Sequence, residues 1–180
     1  MSIEARDLEF LTDLATEFFA QRTIRKTLQV IGAQNISGWE KWIQVEFAAF
    51  IHDHDNVKAW SREAPYASDK RIEKARSRCA VDFIIHQKYK QSHLALEIKQ
   101  VRSVSRCTRA MVEDITKMLK IRRSEFDIRS VWCLGVHQDA TASEVLRELE
   151  YHADALRFPL STSLVATRRI GRTGYAFSLV

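Results

Sequence analysis

The sequence predicts an α/β domain in which a central mixed β-sheet is flanked by α-helices. Three observations lead there. Segments with helical spacing of apolar residues alternate with short apolar runs of strand length. Three strand-like segments in a row are followed by a strand–helix–strand passage, which requires a crossover connection. The run VWCLGV at 131–136 is apolar throughout, as a strand buried on both faces must be.

The elements follow in order. Residues 4–31 carry Leu8, Leu11, Ala15, Phe18 and Phe19 at spacings of three and four, so they read as helix, with a break near Thr23. Gly32 to Asn35 ends that segment. Ser37 and Glu40 form an S-x-x-E capping box that opens a second helix. Ile43, Phe47, Phe50 and Ile51 are its apolar stripe, and Glu46 lies on or beside that buried face. Trp60–Tyr66 reads as a strand, followed by a basic connector over 68–78. The strands Ala80–His86 and His93–Gln100 form a hairpin around the polar turn QKYKQS.

A helix is expected over Arg109–Arg122, with Met111, Ile115, Met118 and Leu119 inward. After the strand at 131–136, Thr141 and Glu144 give another capping box. The helix that it opens carries Val145, Leu149, Ala153 and Leu156. Leu164–Arg169 and Tyr175–Val180 flank GRTG and predict a terminal hairpin.

One compact domain, 1–180, suits this length, and 46% hydrophobic residues suffice for a core. Five Gly and two Pro leave little room for flexible linkers. No apolar run approaches the roughly 18–20 residues of a membrane span, and MSIEARDLEF has no secretory apolar region. A cytoplasmic chain without membrane partners is therefore expected. Cys79, Cys107 and Cys133 form no CxxC pair, so they read as reduced thiols, not as a zinc or redox motif.

The chemistry lies between Cys79 and Gln100. Two core-like strands carry ionisable residues: Asp82 on the first, Glu97 and Lys99 on the second. A lone carboxylate buried there would cost several kcal/mol, so these groups must be paired, bound to a cation or set at a pocket. Alternation puts Glu97 and Lys99 on one face with Ala95, and Leu94, Leu96 and Ile98 on the other. On the neighbouring strand Asp82 shares a face with Ala80 and Ile84, opposite Val81, Phe83 and Ile85. Strand pairing can bring Asp82 beside Glu97. A divalent cation would then relieve the repulsion of the two carboxylates, with Lys99 within reach of a metal-bound water or a phosphate oxygen. These are the parts of metal-assisted phosphodiester hydrolysis.

Net charge is +5 with a pI near 9.2, which permits a polyanionic partner. Basic residues cluster in RIEKARSR, with Arg71, Lys74, Arg76 and Arg78, and in RSVSRCTR, with Arg102, Arg106 and Arg109. Arg122 and Arg123 close the expected helix, and Arg168, Arg169 and Arg172 lie near the C-terminus. Each cluster also reads as an ordinary solvated surface. Glu97 and Lys99 likewise have a plain alternative, an exposed pair on an edge strand worth under about 1 kcal/mol. His52 and His54 stand two apart at a helix end and do not share a face, which argues against a metal pair. Trp39, Trp42 and Trp60 read as packing, while Glu63 and Tyr66 precede the hairpin and are candidates to line the cleft.

Asp82, the Glu97-Ile98-Lys99 run and Gln100, in this strand context, resemble the PD-(D/E)XK nuclease superfamily with its restriction-endonuclease-like fold. The resemblance spans about residues 37–137, an αβββαβ core to which this chain adds an N-terminal helix and a C-terminal hairpin. Val81 stands where the name implies proline. The resemblance implies a Mg²⁺- or Mn²⁺-dependent endonuclease or exonuclease acting on nucleic acid, with DNA the first expectation. Asp82 and Glu97 would hold the metal with the backbone carbonyl of Ile98. Lys99 would activate the water, Glu46 would be a third acid, and Gln100 would position Lys99 or a phosphate. The helix with Asp114 and Lys117 falls where the family has its second core helix. Small nucleases of this fold often dimerise, and a separate protein could supply targeting or delivery. The alternative is a non-catalytic nucleic-acid binder, or an inhibitor or immunity-type protein, on the same fold.

Overall fold

The computed structural model describes residues 1–68, 79–119, 121–123 and 127–180. Three helices come first: α1 (Ile3–Ala20), α2 (Arg22–Ala33) and α3 (Glu40–His52). The strands β1 (Val57–Ser68), β2 (Cys79–Gln87) and β3 (His93–Gln100) follow. Then come α4 (Val104–Met118), β4 (Ile121–Arg123), β5 (Ile128–Gln138) and α5 (Ala142–Leu156). A short 3₁₀ turn (Thr162–Leu164) leads to the closing hairpin, β6 (Ala166–Arg169) and β7 (Tyr175–Leu179).

Among the described residues the strands form one mixed sheet in the order β4-β1-β2-β3-β5-β7-β6. Among the described residues only the β3–β5 pair is parallel, and the passage between them runs through α4, as a crossover must. The helices lie in two layers. On one face α1, α2 and α3 pack Leu14, Phe18, Leu28 and Phe47 against Phe83, Leu96, Leu134 and Phe177. On the other, Met111 and Val112 of α4 and Leu149 of α5 cover Ile84, Ala95 and Cys133. The strand β5 is buried on both sides, with Trp132, Leu134 and Val136 in the first core and Cys133 in the second. Among the described residues no helix is long and apolar enough to cross a membrane.

Several boundaries differ from expectation. The N-terminal helix breaks at Gln21, whose extended backbone (ψ 131°) separates α1 from α2, so two helices precede the core instead of one. The helix α3 starts at Glu40 after Trp39, without a side-chain cap, so Ser37 and Glu40 form no capping box. The helix α4 begins five residues before Arg109, where the Ser103 hydroxyl accepts the Arg106 N–H. It ends at Met118, so Leu119 is exposed, and Arg122 and Arg123 stand on β4, a strand that nothing in the local pattern announced. The Thr141–Glu144 capping box is formed, with both reciprocal hydrogen bonds.

Gly135 fixes how closely α4 approaches the sheet. A Cβ there would lie 2.3 Å from Met111 Sδ and 2.9 Å from Cys107 Sγ. Gly135→Ala is therefore expected to cost about 1–3 kcal/mol through overpacking, measurable as a lower urea midpoint. Gly135 stands beside Lys99 in the parallel register, so the same displacement would reach the strand position next to Lys99.

A buried histidine gives the fold a pH dependence. His137 is fully buried between β5 and β7. Its Nδ1 lies 2.8 Å from the Gln138 carbonyl, which suits a donated hydrogen bond. Nε2 then accepts from the Ser178 hydroxyl at 2.8 Å, and Thr167 continues the chain at 2.9 Å. Burial holds the imidazole below its usual range, against the weaker pull of the Gln138 carbonyl and Asp139. The unfolded chain thus takes up a proton that the native state resists. This stabilising difference is complete above the ordinary histidine pKa of about 6.5 and is lost as pH falls through and below it. Denaturation midpoints measured across that range should fall less steeply in His137→Gln than in the parent.

Candidate active site

The ladder between β2 and β3 pairs Ile85 with Leu94, Ile84 with Ala95 and Phe83 with Leu96. The next positions are Asp82 and Glu97, and there side chains take over from the backbone. The Ile98 N–H donates to Asp82 Oδ2 at 2.9 Å, and the Asp82 N–H donates to Glu97 Oε2 at 3.2 Å. Each acid therefore satisfies an amide of the other strand, as buried amides require. On β1, Glu63 falls between the partners of Val81 and Phe83 and adopts a left-handed backbone, φ 50°. The regular alternation of β2 fails here as well. Phe83 and Ile85 belong to the first core but Val81 packs in the second with Ile84, so Val81 does not share the face of Phe83 as expected.

The electrostatics follow from this geometry. Burial first, then the hydrogen bond and charge of Asp82, push the Glu97 carboxyl up to about 9. Near neutral pH Glu97 accordingly keeps a proton, because partial burial disfavours its charge and Asp82 stands beside it. Lys99 points toward α4, where its ammonium meets Asp114 Oδ2 at 2.7 Å. Burial works against the Lys99 charge, but the hydrogen bond and charge of Asp114 outweigh it. Glu40 and Glu97 add to this, and together they hold Lys99 above the ordinary lysine range. Asp114 is likewise opposed by burial, yet hydrogen bonds from Lys117, at 2.8 Å, and Lys99 hold it below the usual carboxylate range.

Asp82, Glu97 and Lys99 thus occupy one end of the β2–β3 pair, and Ile98 lies between the last two with its side chain in the first core. The structure does not bring Glu46 to them. Its Oε1 accepts the Trp42 indole N–H at 3.1 Å, and it lines a separate surface cavity with Glu17, Asp53 and His54. The acid that α3 delivers instead is Glu40, whose Oε2 accepts the Gln100 N–H at 2.9 Å. The signal for Glu40 was present: it stands three before Ile43 and four before Gln44, at the head of the buried stripe. The capping-box reading gave it a local partner, when its partner lies sixty residues away. Asp114 was noted only for its place on the helix; its bond to Lys99 depends on how α4 packs.

Of the basic candidates, Arg102 donates to the Asn35 side chain, Arg109 pairs with Glu113 at 2.9 Å, and Arg106 is exposed. Arg71, Lys74, Arg76 and Arg78 lie outside the described residues, and so does the Tyr66 side chain. Trp39 is buried and Trp42 and Trp60 pack against the core. Cys107 and Cys133 are buried free thiols.

Among the described residues no three His, Cys, Asp or Glu side chains form a ready-made ion cage. Two carboxyl groups on adjoining strands, one of them kept protonated by burial and by its neighbour, nevertheless fit Mg²⁺. That ion typically takes one or two carboxylates and fills its remaining sites with water and phosphate oxygens. No family model matches the chain, and comparison with curated proteins and with solved structures likewise finds no match.

Proposed function

We propose that this chain is a metal-dependent nuclease of the PD-(D/E)XK type on a restriction-endonuclease-like fold, with DNA as its first expected substrate. The observation that carries the reading is the mutual capping of Asp82 and Glu97 where the β2–β3 ladder ends, with Lys99 on the same strand. Capping each other's strands accounts for where the two acids sit; a carboxyl held protonated beside Lys99 supports a chemical role as well.

Asp82 and Glu97 would hold Mg²⁺ or Mn²⁺, with the Ile98 carbonyl as a third donor. When bound, the ion would polarise the phosphate and make the attacking water more acidic. Loading requires Glu97 to release its proton. Lys99, kept cationic by Asp114, suits the orienting of water and the stabilising of charge on phosphate oxygens better than proton abstraction. Glu40 takes the place expected of Glu46, as an acid near the site that holds the Gln100 backbone. Arg102 and Arg106, both exposed, follow Lys99 closely in the chain and would supply cations to a polyanion. A homodimer would let such a site cut both strands of a duplex, and a separate protein could supply targeting.

The test is cleavage of plasmid and single-stranded DNA in Mg²⁺ or Mn²⁺. If the purified protein cuts nothing that Asp82→Ala spares, the nuclease reading fails. Calorimetry with Mn²⁺ separates it from a non-catalytic binder on the same fold. A clear heat that disappears in Glu97→Ala counts against the binder; no heat in either protein counts for it.

A further inference from the structure

We propose that the groove between the α2–α3 loop and the end of β3 seats one nucleotide of the strand that the acidic pair cuts. The groove has a volume of about 540 Å³, within the range of small-molecule sites. The inference rests on the nuclease reading, because the groove opens at the end of the strand that carries Lys99. Glu40 and Gln100 line it, and Gln100 directly follows Lys99 in β3.

The chemistry of the lining matches a nucleotide. Trp39 and Tyr175 meet edge to face with centroids 5.4 Å apart. Each keeps only 6% of its surface exposed, so the pair gives the groove a rigid floor, and apolar contact with a sugar or base falls to the lip. Ile36 stands at the lip 47% exposed, a large apolar side chain left in water beside that floor. Arg102 lies at the mouth, exposed, and its side-chain hydrogen bond goes to the neutral amide of Asn35. That bond orients the guanidinium without neutralising it, which leaves its charge and remaining N–H groups for a phosphate. Asn35 and Gly38, both at positive φ (53° and 75°), turn the loop around the opening. A concave apolar floor with a cation at its edge suits one nucleotide better than an extended protein surface does.

The test measures binding apart from cutting. A short fluorescein-labelled single strand is titrated with the full chain in EDTA, where the nuclease reading expects no hydrolysis, and anisotropy is read at several salt concentrations. Arg102→Gln and Ile36→Asp are expected to weaken binding by roughly three- to tenfold, and Arg102→Gln to reduce the salt slope by about one phosphate contact. Both residues are exposed, so thermal midpoints should hold, which separates lost contact from lost fold. Unchanged affinity and salt slope in both variants overturns the groove, as does a parent that binds no strand. Neither result touches the nuclease reading if Asp82 is still required for cleavage in Mn²⁺. Competition by a free mononucleotide as strong as that by the strand would overturn the assignment to a strand.

Discussion

Lys99→Ala and Asp82→Asn are each expected to lower Mg²⁺- or Mn²⁺-dependent strand cleavage by about 10²–10⁴-fold, the range for losing one positioned catalytic group. The two variants act differently on the fold. Asparagine keeps an oxygen that can accept the Ile98 N–H, so the gap between β2 and β3 stays supported while the charge is gone. Lys99→Ala leaves Asp114 half-buried with Lys117 as its remaining cation, so some stability is lost with activity. Glu97→Gln separates function from folding most cleanly. Glu97 is already neutral near pH 7, with its carboxyl pushed up to about 9 by burial and by Asp82. A neutral amide therefore costs the apo fold little, and the thermal midpoint should hold or rise while cleavage is lost. A Glu97→Gln protein that cuts like the parent would remove this residue from the chemistry.

Asp7→Ala is expected to destabilise the chain by about 3–5 kcal/mol, the usual result of orphaning one member of a buried ion pair. Asp7 is 2% exposed on α1. It accepts from Arg129 Nε and Nη2 at 2.9–3.1 Å and from the Ser130 hydroxyl at 2.7 Å. Arg129 also reaches Gln87 at 2.8 Å and the Ser92 carbonyl. One acid thus ties the first helix to the start of β5 and to the β2–β3 turn. Truncation would leave a guanidinium buried and unbalanced. Urea denaturation should show a lower midpoint with an unchanged slope. The double variant Asp7→Leu/Arg129→Met should recover much of the loss, because well-packed apolar residues often replace such pairs at little cost. A loss under about 1 kcal/mol in the single variant would mean that the pair is effectively solvated.

What could be read from the chain alone was local or periodic. His93–Gln100 is a strand with the bounds that its alternation set, the Thr141–Glu144 box opens α5, and GRTG turns the last hairpin. Asp82 and Glu97 were legible because a carboxylate in an apolar strand contradicts its surroundings. By the same reasoning Asp7, four residues before Leu11 on the buried stripe of α1, was equally visible. What stayed hidden depends on distant partners. Glu40 and Glu46 flank one helix stripe, and only the packing of α3 decides which of them meets β3. The partner of Lys99 comes from α4, whose approach is set by the missing side chain at Gly135. The strand β4 pairs with the far end of β1, across more than fifty residues of sequence.

The proposed site stands or falls on whether a divalent ion sits between the two acids where the β2–β3 ladder ends. Anomalous diffraction from crystals soaked in Mn²⁺ locates that ion directly. The expected result is one strong peak coordinated by Asp82 and Glu97, absent from Glu97→Gln crystals. A peak seated instead beside Glu46 and Glu17, or none at saturating Mn²⁺, would contradict it.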